Sequence, residues 1–187
     1  MHYQVVELPW LFRELFDVDE EESVPTWFSS VILLISAAYL AHVYALKRLD
    51  ADPHSAAWLS LSCGFLFLSI DEIAGFHEAL NSTMEASWAV PGAVLAMLLL
   101  VLFARLLRSL PPTITKGFLV AGAIYVGGAV GVELATEPYL YNDALDTLAY
   151  NLWTAVEEGM EMGGIVYFLN VLHAYVVQHL KAGLRLS

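Results

Sequence analysis

Leu68-Ser69-Ile70-Asp71-Glu72-Ile73-Ala74-Gly75-Phe76-His77-Glu78 closes an otherwise apolar run that begins at Ala56. The run has about the 20 residues needed to cross a hydrocarbon core, yet three carboxylates and an imidazole sit in or at the end of it. Ionisable groups within a spanning segment are rare and usually functional, so this stretch decides the fold class, a membrane helix, and marks where chemistry should be sought. A second acidic cluster, Glu157-Glu158-Gly159-Met160-Glu161, lies in another apolar run, and Glu133 lies in a third. None of the three runs contains a Lys or Arg. The compensating positive charge must therefore come from bound metal ions or bound protons.

Composition agrees with a membrane domain. The chain has 187 residues, is 58% hydrophobic and has a mean hydropathy of +0.62, too apolar for an ordinary soluble domain and long enough for four to six spans. A net charge of -12 argues against a nucleic-acid partner, which needs clustered Lys and Arg. The single cysteine, Cys63, excludes an internal disulfide. No cleavable signal peptide is expected, because the first apolar patch is broken by Arg13, Glu14 and Asp17.

Residues 1–25 interleave Leu8, Trp10, Leu11, Phe12, Leu15 and Phe16 with Glu7, Arg13 and Glu14, a pattern suited to an amphipathic helix lying on the bilayer surface. An acidic run from Asp17 to Glu22, followed by Pro25, should separate it from residues 26–187, one transmembrane bundle domain. Five spans are expected there: Thr26–Leu46, Ala56–Phe76, Trp88–Leu107, Gly117–Glu137 and a long last one, Leu148–Leu180. Lys47 and Arg48 follow the first span, Arg105, Arg108 and Lys116 the third, and Lys181 and Arg185 the fifth. By the positive-inside rule the N-terminus is outside and the C-terminus is cytoplasmic. The fold class expected is thus an all-α, polytopic membrane helix bundle in the cell membrane.

This orientation places all three acidic sets in one half of the membrane. Spans two and four run outward and carry Asp71, Glu72, Glu78 and Glu133 late, whereas span five runs inward and carries Glu157, Glu158 and Glu161 early. At 100° per residue, Tyr150, Thr154, Glu157, Glu158 and Glu161 form one polar stripe on span five, expected to face other helices rather than lipid. On a continuous helix Asp71 and Glu78 are nearly eclipsed but about 10 Å apart in height, which suits two ions, or one ligand and one gate. The Gly-rich face of span four, Gly122, Gly127, Gly128 and Gly131, permits close helix packing. Tyr39 and His42 in span one, and His173 and His179 in span five, read as structural groups.

Several carboxylates with one histidine make a hard, oxygen-rich donor set, suited to iron, manganese, calcium or magnesium more than to structural zinc. The ligands expected are Asp71, Glu72, His77, Glu78, Glu133, Glu157, Glu158 and Glu161, holding one or two divalent ions with iron or manganese favoured; no nucleotide cofactor is expected. Carboxylate-bridged di-iron bundles pair Glu with Glu-x-x-His. This chain resembles them only in part, with Glu-x-x-Glu at Glu158 and Glu161 and no Glu-x-x-His. An oxidoreductase is the enzyme class such a site admits. One alternative is a proton- or cation-coupled transporter, since clustered carboxylates share protons. Another is a small structural, pigment-binding or lipid-binding subunit. The partners expected are the lipid bilayer and either a second copy or other membrane subunits.

The segments Ser69-Ile70-Asp71-Glu72-x4-His77-Glu78 and Glu157-Glu158-Gly159-Met160-Glu161-Met162-Gly163 are similar to those of a group of small bacterial and archaeal multipass membrane proteins of unassigned activity. The resemblance covers mainly spans two and five. It implies that the two clusters act as one unit.

Overall fold

The computed structural model describes residues 23–76, 79, 88–142, 144–145 and 147–184, and all regular structure among them is helical. Helix α1 covers Val24–Leu49, α2 Ser55–Ala74, α3 Ala89–Ser109 and α4 Pro112–Val126. A π-helical segment, Gly127–Val132, joins α4 to α5, Glu133–Tyr141, and α6 covers Leu148–Leu184. Among the described residues, five stretches are long and apolar enough to cross a membrane: Val24–Leu49, Ser55–Ala74, Ala89–Ser109, Pro112–Tyr139 and Leu148–His179. The interfacial helix expected over 1–25 falls, except for its last three residues, outside the described residues.

Two prolines behave differently from expectation. Pro25 sits in the first turn of α1, so the first span begins before the expected Thr26; its missing N–H is one that a helix leaves unpaired anyway. Ser23 caps that turn, its hydroxyl oxygen accepting from the Thr26 amide at 3.3 Å. Pro112 likewise opens α4, so the fourth span begins five residues before the expected Gly117.

The distribution of side chains is inverted relative to a protein folded in water. Ser23, Thr26, Ser29, Ser30, Ser36, Ser62, Ser69, Thr136 and Thr154 are buried, while Val101 and Leu102 on α3 are each 68% exposed. In water, exposed apolar surface on this scale marks an interface with something else. Buried hydroxyls instead tie helices together. The Ser30 hydroxyl donates to the Ser69 carbonyl at 2.8 Å and the Ser69 hydroxyl to the Ser30 carbonyl at 2.9 Å, and Ser62 donates to the Ala37 carbonyl at 2.8 Å. These bonds clamp α1 to α2, as hydroxyls do between helices in lipid.

The second close pair is α6 against α4 and the π segment. A Cβ on Gly164 would lie 2.9 Å from the Tyr125 backbone nitrogen, and one on Gly128 would lie 2.8 Å from the Glu157 carbonyl oxygen. Only glycine allows this approach. Gly122 and Gly131, expected to share the packing face, meet nothing within 4 Å. For Gly131 the π segment is the reason, since the expected face assumed a regular α-helical period through residue 131; Gly122, in regular α4, is exposed.

Candidate functional site: acidic groups around Tyr125

Helices α2, α4 and α6 meet through residues spaced by seven, a spacing that returns to nearly the same face of a helix. Trp58 stacks on Tyr175 with ring centroids 5.4 Å apart, and Phe118 meets Trp58 edge-on at 6.4 Å. Seven residues further along α2 and seven back along α6, Phe65 stacks on Phe168 at 4.6 Å, with Phe118 tilted against Phe168 at 4.9 Å. One more step of seven on each helix reaches Glu72, Tyr125 and Glu161. Here the aromatic layers give way to charge.

In this third layer the Tyr125 side chain hydrogen-bonds the Glu161 carboxylate. The carboxylates of Glu158, Glu72 and Glu157 act electrostatically on Glu161, and those of Glu161, Glu72, Asp71 and Glu158 act on Tyr125. Four of the expected ligands, Asp71, Glu72, Glu158 and Glu161, from two helices, thus lie within electrostatic reach of one phenol from a third. Asp71, Glu72, Glu157, Glu158 and Glu161 are all half-buried, and Thr154 is buried, so the polar stripe on α6 does turn into the bundle. Tyr150, on the same stripe, lies 6.0 Å from the Tyr139 ring.

The π segment shapes the side of the site made by the fourth span. With i to i+5 bonding, Glu133 follows Gly128 by one wide turn, and Gly128 is the residue pressed against Glu157 and Glu161. Glu133 opens α5 and is half-buried; it is not among the carboxylates named above as acting on Tyr125 or Glu161. A local π segment inside a helix is a frequent companion of functional sites.

The end of α2 corrects an expectation. Helix α2 stops at Ala74, and Gly75 adopts the left-handed conformation, φ 58°, with its amide donating to the Asp71 carbonyl. This is the ordinary glycine stop of a helix, and it removes the assumption of one continuous helix on which the eclipsing of Asp71 and Glu78 rested. His77 and Glu78 themselves lie outside the described residues. Among the described residues, no three His, Cys, Asp or Glu side chains stand close enough together to hold one metal ion in their present rotamers.

One further polar group lies near the acids, and others stand away from them. Ser29 is 1% exposed and its buried hydroxyl has no hydrogen-bond partner among the described residues. It lies one turn from Leu33, which packs with Ile165, Leu68 and Tyr125, and so sits near the level of the acids. Tyr39 and His173 satisfy each other through a 2.8 Å bond between the hydroxyl and Nδ1, with His42 stacked on Tyr39 at 6.4 Å. Both histidines are exposed on the bundle surface. His179 pairs with Asp50 at 3.0 Å, and Lys47 with Asp52 at 3.6 Å, all at the opposite end of the bundle from the acidic layer.

The sequence profile described as Domain of unknown function (DUF8692) matches residues 2–176. The chain belongs to that family. No curated protein and no solved structure matches it significantly. The DUF8692 match spans both acidic clusters, Glu133 and the aromatic layers, and therefore the whole of the constellation described above.

Proposed function

We propose that this DUF8692 protein is an integral protein of the cell membrane that binds one or two divalent metal ions, iron or manganese favoured, at Asp71, Glu72, Glu133, Glu157, Glu158 and Glu161. His77 and Glu78, two and three residues beyond the glycine stop, complete the proposed ligand set. The observation that carries this reading is the convergence of acids from α2 and α6 on Tyr125 in spans that contain no Lys or Arg. Like charges held close in a poorly hydrated place are compensated by a metal ion or by shared protons, and this reading takes the metal ion. Oxygen donors of this kind suit hard divalent ions. The donor atoms have to draw together when the ion enters, so binding should tighten the contact between α2 and α6.

The aromatic layers favour a binding site over a conduit. Phe65, Phe118 and Phe168, and beyond them Trp58 and Tyr175, occupy the space between the acids and the basic end of the bundle. An ion or proton that reaches Glu161 meets a hydrocarbon barrier next, which weighs against a transporter using this route. The proposed orientation has the N-terminus outside and the acids in the outer half, supported by the gathering of Lys47, Arg48, Arg105, Arg108 and Lys116 at the other end. A metal-dependent oxidoreductase is the enzyme class such a site admits.

The test is elemental analysis of detergent-purified protein after reloading with manganese or iron(II). About one to two equivalents in the wild type, falling to trace levels in Glu161→Gln and Glu157→Gln, is the expected result. Metal contents that are substoichiometric in the wild type, or the same in all three proteins, would overturn the reading.

A further inference from the structure

The turn between α3 and α4 holds a second site of opposite charge. A cavity of about 370 Å³ opens there, lined by Leu107, Arg108, Leu110, Pro112, Thr115 and Lys116 and edged by Leu119. Its walls are held in place by the Thr115 hydroxyl, which donates to the Leu107 carbonyl at 2.7 Å across the turn, and by Leu110, which is buried in the core. Arg108 and Lys116 are exposed, and no carboxylate pairs with either among the described residues. In a chain of net charge -12, no Asp or Glu occurs anywhere from Ala86 to Val132.

We infer that this cavity binds the phosphate-bearing headgroup of an anionic membrane phospholipid, with its acyl chains lying along the apolar surfaces of α3 and α4. The chemistry is divided accordingly. A guanidinium and an ammonium at the mouth recognise a phosphate. Leu107, Leu110 and Leu119 line the apolar part, and exposed Leu98, Leu102 and Leu119 continue it along the helices. Basic notches between spans at a membrane surface bind anionic headgroups in this way. A shallow notch open to the bilayer suits a tailed ligand, which its own chains retain, better than a small soluble anion. The inference rests on the reading of the five helices as membrane spans and is independent of the metal site.

The test is native mass spectrometry of the full chain in detergent, incubated with phosphatidylglycerol, with phosphatidylcholine of the same chains, or with inorganic phosphate. Phosphatidylglycerol should be retained at one per chain in preference to phosphatidylcholine, and the double variant R108Q/K116Q should lose retention on the order of tenfold or more, while Arg48→Gln, at another basic turn, should not. Single variants R108Q and K116Q serve if the double variant fails to fold, each with a smaller loss. Equal retention of the two lipids, equal retention by the variants, or stable binding of inorganic phosphate in place of lipid would each overturn the inference. A chain that remains monodisperse without detergent would instead overturn the membrane reading beneath it.

Discussion

Tyr125 is the residue on which the acidic groups are centred, and its phenol has two separable functions. Its ring continues the seven-residue spacing from Phe118, and its hydroxyl engages Glu161. Tyr125→Phe keeps the first and removes the second. A lost hydrogen bond to a half-buried carboxyl group costs about 1 kcal/mol, so this variant should unfold at lower temperature in detergent and bind manganese several-fold more weakly, with the helical content of its circular dichroism unchanged. Unaltered affinity would show that the hydroxyl does not position Glu161. No signal in the chain singles this tyrosine out, because an aromatic residue in an apolar run is ordinary. The acids were legible for the opposite reason, each being out of place in its run. Tyr125 becomes visible only when 58, 65 and 72 are aligned with 175, 168 and 161, an alignment that requires knowing which helices pack.

Among the elements, the π segment and the close approach of α6 decide the geometry of the site. Gly128 and Gly122 lie six residues apart in the same span yet have opposite environments. Gly128→Ala places a methyl group 2.8 Å from the Glu157 carbonyl oxygen, and forcing the helices apart should cost about 1–3 kcal/mol and weaken metal binding. Gly122→Ala meets open space and should stabilise the helix by about 0.5–1 kcal/mol. Thermal unfolding of the two variants in one detergent checks both signs together. A Gly128→Ala protein as stable as the wild type would mean that α6 stands further from the π segment. The existence and limits of the five spans follow from hydropathy and length, as α1, α2, α3 and α6 show to within a few residues. Where the helical period changes at Gly127, and where Gly75 turns the chain, hydropathy carries no information. A run of small residues reads as a packing face whatever its pitch.

For the molecule as a whole, large hydrocarbon side chains are exposed along the spans and serine and threonine hydroxyls are buried between them, with acids toward one end and the basic turns at the other. The proposed orientation puts the Asp50–Asp52 turn, beside Lys47 and Arg48, in the cytoplasm. With Cys63 changed to Ala, a cysteine at Asp50 should resist a membrane-impermeant maleimide in intact cells and react after lysis, while a cysteine at Ala144 in the opposite turn should react in both. The reverse pattern would invert the bundle and put the carboxylates on the cytoplasmic side. Agreement in depth of three segments is the sequence's argument for one site; acids of two of them, α2 and α6, lie within electrostatic reach of Tyr125.

The central claim is that Glu72 of α2 and Glu161 of α6 serve one cation. Calorimetric titration of metal-stripped protein with manganese(II), comparing the wild type, Glu72→Gln, Glu161→Gln and the double variant, measures this directly. The account predicts saturable binding in the wild type, weakened by each single change, with the double change costing clearly less than the sum of the two, as for residues that share one interaction. Heats that are absent from the wild type, or that are the same in all four proteins, would contradict it.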